Sequence, residues 1–316
     1  MTGVSGVSGG SGMAGAAGVA GERRQLLNIA YRLLGSLTEA EDAVQEAYTR
    51  WYALAPGQRA QVRVPGAWLT TVTGRICLDL LGSARARRER YVGAWLPEPL
   101  PDPAEWGPRD TSTTGAGAVD PAEQVVLDES VGTAFLVVLE TMTPAERVAF
   151  VLHDVFRYPF AEIAAVLGRS PAACKQLASS ARRRVGTRPG GGTAVAGQGA
   201  ETVRRVKDAW ERKDVPALVA LLDPAVVMTA DGGGLAGAAL RPLAGGGLVA
   251  QYMVAIADKA PGLELLVRSV SGRPGLVARR DGVVVTVASF ELTEGRVARI
   301  WVVRNPAKLR PWLGAP

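Results

Sequence analysis

Side chains able to do chemistry are scarce and unevenly placed in this sequence. His153 is the one histidine in 316 residues, and the two cysteines, Cys77 and Cys174, stand far apart. That inventory removes histidine-based zinc sites and argues against Ser-His-Asp triads and Cys-His nucleophiles. No catalytic residue, metal centre or cofactor is expected. Asp42 and Glu46 lie one helical turn apart, the spacing of a carboxylate pair or of a polar face for solvent or a partner. Arg169–Arg188 carries six basic residues and no acidic one. Such a run suits phosphate, although arginine near a helix end also answers the helix dipole unaided.

The elements needed to position these groups can be read locally. Thr143-Pro144-Ala145-Glu146 supplies an N-cap, a first-turn proline and a glutamate for a capping box. A helix follows through Phe150 and Val155, then a short helix over Phe160–Leu167. Gly168 makes the left-handed turn, Ser170 caps and Pro171 starts the next helix. Cys174, Leu177, Ala178, Ala181 and Val185 recur at helical spacing, which turns Lys175, Gln176, Ser179, Arg182 and Arg183 outward. Two helices across a short glycine turn form a helix-turn-helix. An ordinary helical hairpin would share the spacing; the basic bias favours DNA, with arginine and lysine suited to guanine edges and glutamine to adenine.

An earlier helical block spans Glu22–Arg90. Thr38 and Glu41 make a capping box, and Ala43, Val44, Ala47, Tyr48 and Trp51 share one face. Asp42, Gln45 and Glu46 occupy the other face. Pro65 opens a second helix with Trp68, Leu69, Val72, Ile76 and Leu80 as its stripe; it carries Arg75 and continues into Arg85, Arg87, Arg88 and Arg90. An aromatic and arginines on one helix suit stacking on bases and pairing with phosphates.

Composition sets the divisions. At 47% hydrophobic and 21% charged residues the chain can build real cores, and length alone suggests about two domains. No stretch approaches the ~20 apolar residues of a membrane span. Residues 1–21, uncharged and rich in glycine, read as a disordered tail rather than a signal peptide. With little cysteine and no export signal, the chain reads as cytoplasmic. Residues 91–119, with five prolines between Pro97 and Pro108, read as a linker. Tyr91–Asp128 holds seven acidic residues against one basic. Residues 120–187 form the helix-turn-helix block, and 188–199 a second, glycine-rich linker.

Residues 200–316 change character. Helices are expected over Ala200–Arg212, Pro216–Leu222 and Leu248–Ala257, and strands over Val226–Ala230, Leu276–Arg280, Val283–Leu292 and Val297–Val303, with turns at Asp281-Gly282 and Glu294-Gly295. Helices followed by an antiparallel sheet indicate an α+β domain. A cone-fold isomerase or cyclase would need a buried acid or base, for which Asp231 is the candidate. The three glycines after it suggest a turn, and this block has no histidine.

The helical blocks resemble an extracytoplasmic-function RNA polymerase sigma factor. LLGSLTEAEDAVQEAYTRWY and VPGAWLTTVTGRICLDLLGSARARRER resemble sigma region two, and LETMTPAERVAFVLHDVFRYPFAEIAAVLGRSPAACKQLASSARRRV resembles region four. YVGAWLPEPL (Tyr91–Leu100), DGGG (Asp231–Gly234) and NPAKL (Asn305–Leu309) resemble marks of the SigJ-like subgroup, which carries a fused SnoaL-like, nuclear-transport-factor-like cone; Ala307 stands where that subgroup usually has Asp. The resemblance implies a multi-domain chain of two all-α sigma modules followed by an α+β cone. Asp42, Gln45 and Glu46 would then dock on RNA polymerase core. Trp68, Arg75, Arg85, Arg87 and Arg88 would open and hold the promoter's minus-ten element. Ser170, Lys175, Gln176, Ser179, Arg182 and Arg183 would read the minus-thirty-five element. A flexible acidic linker would keep the two DNA modules apart and could mimic RNA in the polymerase channel. Regulation would pass between domains through Trp95, Leu96, Pro97, Glu98, Pro99, Asp231, Gly232, Gly233, Gly234, Asn305, Pro306, Lys308 and Leu309. The cone could respond to a small-molecule or protein ligand. The competing readings are a helix-turn-helix repressor with a ligand-sensing domain and a cone-fold enzyme.

Overall fold

In the computed structural model, which describes residues 11–88, 91–102, 132–186 and 196–313 (11–21, 84–88 and 196–198 by backbone alone), Gly35 divides the first two helices. Helix α1 (Ser11–Leu34) stops where Gly35 takes φ +71°. Ser36 follows in extended geometry and caps α2 (Leu37–Ala53) by accepting the Glu39 N–H at 3.4 Å. The cap expected at Thr38 therefore lies two residues earlier, because the left-handed glycine redirects the chain before Thr38 is reached. Helix α1 also begins inside the segment expected to be a disordered tail. Alanines at 14, 16, 17 and 20 prolong a helix already nucleated downstream; residues 1–10 lie outside the described residues. A short α3 (Pro56–Gln61) and the long α4 (Pro65–Arg88) complete the module.

The second module contains α5 (Thr133–Leu139), α6 (Pro144–Phe150) with a π-helical turn over Val151–Val155, α7 (Phe160–Leu167) and α8 (Pro171–Gly186). Thr143 and Glu146 form the expected capping box, Gly168 takes φ +62°, and the Ser170 hydroxyl accepts the Ala173 N–H. The two helical modules were expected to stand apart. Instead they share one apolar core, in which Tyr31, Leu69 and Ile76 of the first meet Leu139, Leu152 and Ile163 of the second. Apolar faces that each module alone would leave wet are removed from water together.

The third module starts with α9 (Ala196–Glu211), four residues inside the stretch expected as linker, and α10 (Val215–Leu221). A six-stranded sheet follows in the order β2-β1-β6-β5-β4-β3. Its strands are β1 (Leu222–Asp231), β2 (Leu243–Ala244), β3 (Glu264–Val270), β4 (Arg273–Arg280), β5 (Val283–Thr293) and β6 (Arg296–Val303), with α11 (Gly246–Lys259) between β2 and β3. β1 runs parallel to β6, and the other pairings are antiparallel. A 3-10 helix, Pro306–Trp312, ends the module. One sheet face packs Met228, Leu276, Phe290 and Ile300 against Val206, Trp210 and Met253 of the helices. The opposite face presents Val277, Val287, Trp301 and Val303 to Leu96, Leu309 and Trp312, with Ala134 and Val137 of α5 beside them. Period-2 alternation supplies both faces from the same strands.

Candidate functional site

The two helical modules and the cone meet on Tyr91–Asp102. This segment is an extended strap rather than a free linker: Leu96 to Leu100 are buried. On the cone side the strap is held by Asp231, the last residue of β1. Its carboxylate is fully buried and accepts four hydrogen bonds, from the Tyr91 hydroxyl (2.5 Å), the Leu96 N–H (2.9 Å), Lys308 Nζ (2.7 Å) and the Gly233 N–H (3.0 Å). Lys308 also donates to the Leu96 carbonyl and lies 4.0 Å from the Trp95 ring centroid. Asn305 Nδ2 donates to the Tyr91 hydroxyl at 2.8 Å while its Oδ1 accepts the Ala307 N–H. Further along, Leu100 exchanges hydrogen bonds with Ser271, and Trp312 Nε1 donates to the Pro99 carbonyl at 2.7 Å. A buried ion pair needs its remaining lone pairs and protons satisfied; here strap backbone provides part of that set, so the charges hold this segment in one register.

The glycines after Asp231 have a steric role. A Cβ on Gly232 would lie 2.2 Å from the Ala236 carbonyl oxygen, and one on Gly233, at φ +63°, 2.6 Å from Asn305 Cγ. The turn thus lets Asn305 approach Tyr91. Burial pushes the Tyr91 hydroxyl pKa well above its ordinary value, and the bond to Asp231 and its charge push it further. The phenol stays protonated and serves as donor to Asp231.

The other edge of the strap is fixed to the first helical module. The Glu98 N–H donates to the Gly35 carbonyl at 2.8 Å, Glu98 Oε2 accepts the Leu37 N–H at 2.8 Å, and the Tyr31 hydroxyl donates to the Glu98 carbonyl at 2.7 Å. Burial raises the Glu98 carboxyl pKa against the lowering effect of the Leu37 bond, a bond from the Ser36 side chain and the Lys308 charge. Gly35 is needed twice, since a Cβ there would also sit 2.9 Å from the Trp95 ring. An open cavity of about 340 Å³ lies beside this junction, lined by Ser36, Tyr91, Trp95, Ala307 and Arg310 among others.

The remaining expected site residues fall on the surfaces of the helical modules. Asp42, Gln45 and Glu46 are exposed on α2, with Glu46 paired to Arg50 at 2.5 Å. Trp68 is half-buried, its ring tilted at 57° against that of Trp51 with 5.2 Å between centroids. Arg75 donates through Nε and Nη2 to the Ala165 carbonyl of α7 (3.2 and 2.7 Å). The side chains of Arg85, Arg87 and Arg88 lie outside the described residues, as does the linker from residue 103 to 131. Ser170, Lys175, Gln176 and Arg183 are exposed along α8, and Ser179 is half-buried. Arg182 is exposed but paired with Asp154 at 2.6 Å. Pro97 and Pro99 lie in the buried part of the strap and Pro306 starts the final helix, while a Cβ on Gly234, at φ +74°, would lie 3.2 Å from Val92 Cβ.

Sequence reasoning missed Tyr91, Tyr31, Ser271 and Trp312 as parts of the clamp, and Thr133, whose hydroxyl donates to Ser289 of β5 at 2.9 Å. Two aromatics, Tyr91 and Trp95, just ahead of the strap's prolines were the available signal for Tyr91. The contacts of Tyr31 and Thr133 span 67 and 156 residues and leave no local trace.

Comparison with known proteins agrees with this architecture. The family Sigma-70 region 2 matches residues 19–87, and Sigma-70, region 4 matches residues 133–185. The extracytoplasmic-function (ECF) RNA polymerase sigma factor SigJ of Mycobacterium tuberculosis is 38% identical over 301 residues, 90% of each chain. A probable ECF sigma factor of that organism, SigI, is 32% identical over 92% of each chain. The crystal structure of M. tuberculosis SigJ superposes with a TM-score of 0.71 at 35% identity, covering 94% of this chain and 98% of that one. Two helical sigma modules with a fused α+β cone define the class. The chain belongs to the ECF RNA polymerase sigma factors. It is a transcription initiation factor, and the enzyme and free-standing repressor readings are set aside. Among the described residues no helix is long and apolar enough to cross a membrane.

Proposed function

We propose that this chain binds RNA polymerase core through the Asp42–Glu46 face of α2, reads the minus-thirty-five element with the Lys175 face of α8, and opens the minus-ten element with α4. The cone modulates these steps by holding the strap. The observation that carries the regulatory part is the Asp231 carboxylate, which joins Tyr91 and Leu96 of the strap to Lys308 of the cone. Two of its partners are strap groups, so strap release leaves a buried carboxylate under-paired, and the held state is favoured. A ligand or partner of the cone regulates initiation only if it binds the held and released states with different affinity.

Reconstituted run-off transcription tests the reading. The chain should yield promoter-specific transcripts with core and none without it, and Asp231→Ala should change transcript yield at saturating core. Tight duplex binding without core-dependent transcription would favour a repressor. Unchanged yield in Asp231→Ala would remove the cone from regulation.

A further inference from the structure

The open cavity of about 340 Å³ beside the strap is built from pieces far apart in sequence. Ser36 and Thr38 come from the start of α2, Tyr91 and Trp95 from the strap, and Ala307 and Arg310 from the final 3-10 helix. Between the cone's own sheet and helices the space is taken by side chains: Trp210, Met253, Phe290 and Ile300 are buried there, and Trp210 Nε1 donates to the Met253 carbonyl. Room for a guest lies at the junction instead.

The charges that line this cavity are answered, with one exception. Lys308 is paired with Asp231. Glu98 is buried and accepts the Leu37 N–H. Glu39 stands in the first turn of α2, where the helix dipole favours an acid. Arg310 is exposed, and among the described residues no carboxylate pairs with it. The walls add the half-buried rings of Trp95 and Tyr91. Lys308 Nζ, 4.0 and 5.2 Å from those ring centroids, already supplies the cation that such rings attract. A second cation would meet it as a like charge, whereas a flat ring carrying a negative charge would not.

We propose that the cavity binds a small aromatic carboxylate, its ring against Trp95 and its carboxylate on the Arg310 guanidinium. The volume is at the lower end for ligand pockets and suits a single-ring or fused-ring acid. Offset rings attract one another, and a guanidinium grips a carboxylate as a two-pronged fork. Trp95 belongs to the strap, so the site is complete only while the strap is held. The acid therefore binds the held state, and at about ten times its Kd it lowers the strap's opening equilibrium roughly 11-fold. That consequence rests on the reading of the cone as holder of the strap; the binding itself does not.

Calorimetric titration of the full-length chain with naphthoate tests the site. Naphthoate should bind saturably with a Kd of about 1 mM or tighter, and naphthylmethylamine, similar in shape and opposite in charge, about tenfold more weakly or less. Arg310→Gln should weaken naphthoate binding about tenfold, and Arg310→Lys should recover part of the loss. Ala307→Asp, which sets a carboxylate on an exposed part of the wall, should weaken it comparably. Hydrogen exchange of the Leu96 and Glu98 amides should slow roughly 11-fold at about ten times the Kd. No saturable binding, equal binding of the amine, or unchanged affinity in both Arg310→Gln and Ala307→Asp would overturn the site. Binding without slowed exchange would place the acid elsewhere and overturn it equally. If naphthoate binds and slows exchange while run-off transcript yield with core stays the same, the site stands and the cone's part in regulation falls.

Discussion

Asp231→Ala tests the clamp at its centre. The substitution leaves Lys308, 9% exposed, without its carboxylate, and leaves the buried Leu96 N–H without an acceptor. Removing one partner of a buried charge pair costs ~3–5 kcal/mol. Lys308 keeps the Leu96 carbonyl and the Trp95 ring, which places the cost near the lower end. A cost of ~3 kcal/mol is a change of roughly 150-fold in a local opening equilibrium. Global unfolding of a three-module chain is a poor reporter because it need not be two-state. Hydrogen exchange of the Leu96 and Glu98 amides reads the strap directly. Their exchange should accelerate by about two decades in Asp231→Ala, and by less in Asp231→Asn, whose amide oxygen can still accept from Leu96. Protection across α6 and α8 should change little. Acceleration below about fivefold would refute the argument, because the carboxylate would then contribute no more than one exposed hydrogen bond.

Other expectations follow from the same geometry. Lys175→Ala should weaken promoter binding and lower the salt slope by about one, and an unchanged slope would place Lys175 away from phosphate. Asp42→Asn with Glu46→Gln should weaken core binding measured by anisotropy and leave duplex affinity alone; a loss confined to DNA would reverse the assignment of the two faces. Glu98→Gln should remove a pH dependence of strap exchange. The Glu98 pKa is raised in the folded chain, so protonation favours the held strap, and that stabilisation is lost as pH climbs from the ordinary glutamate range through the raised value. Glutamine keeps an acceptor for Leu37 without the ionisation, and a surviving pH dependence over that window would exclude Glu98 as its source.

Local grammar made the helix-turn-helix legible. The Thr143–Glu146 box, Gly168 and Ser170-Pro171 are signals written within four residues of the places where they act. The hairpins β4–β5 and β5–β6 were readable for the same reason: Asp281-Gly282 and Glu294-Gly295 all take positive φ. The turn at Ser271-Gly272 was not read, although both residues are also left-handed, and β3 before it was missed. The final helix was missed too, because Pro311 lies inside it and only the cap at Asn305 marks its start. Segments 91–119 and 188–199 were read as linkers from composition. For Tyr91–Asp102 that failed, because proline describes a chain that cannot be helix or central strand and says nothing of whether it is buried. What buries it is the apolar back of a sheet about 170 residues away in sequence, as the Leu100–Ser271 bond records.

The distribution of contacts also sets how firmly each module is held to the others. Regions two and four are joined by the polar bonds of Arg147, Arg75, Gln25 and Tyr158. Four such bonds at ~0.5–1.5 kcal/mol net are worth ~2–6 kcal/mol before their apolar contact is added. Region four is tied to the cone by the Thr133–Ser289 bond and the packing of Ala134 and Val137. The strap ties the cone to region two through the buried Asp231 charge pair on one side and the Glu98 backbone and carboxylate on the other. The second connection is the stronger, since breaking it would take the Tyr91 and Leu96 donors from the buried Asp231 carboxylate and the Leu37 donor from the buried Glu98 carboxylate. Region four is then the module held less firmly, and the cone, the strap and region two form the more tightly joined unit.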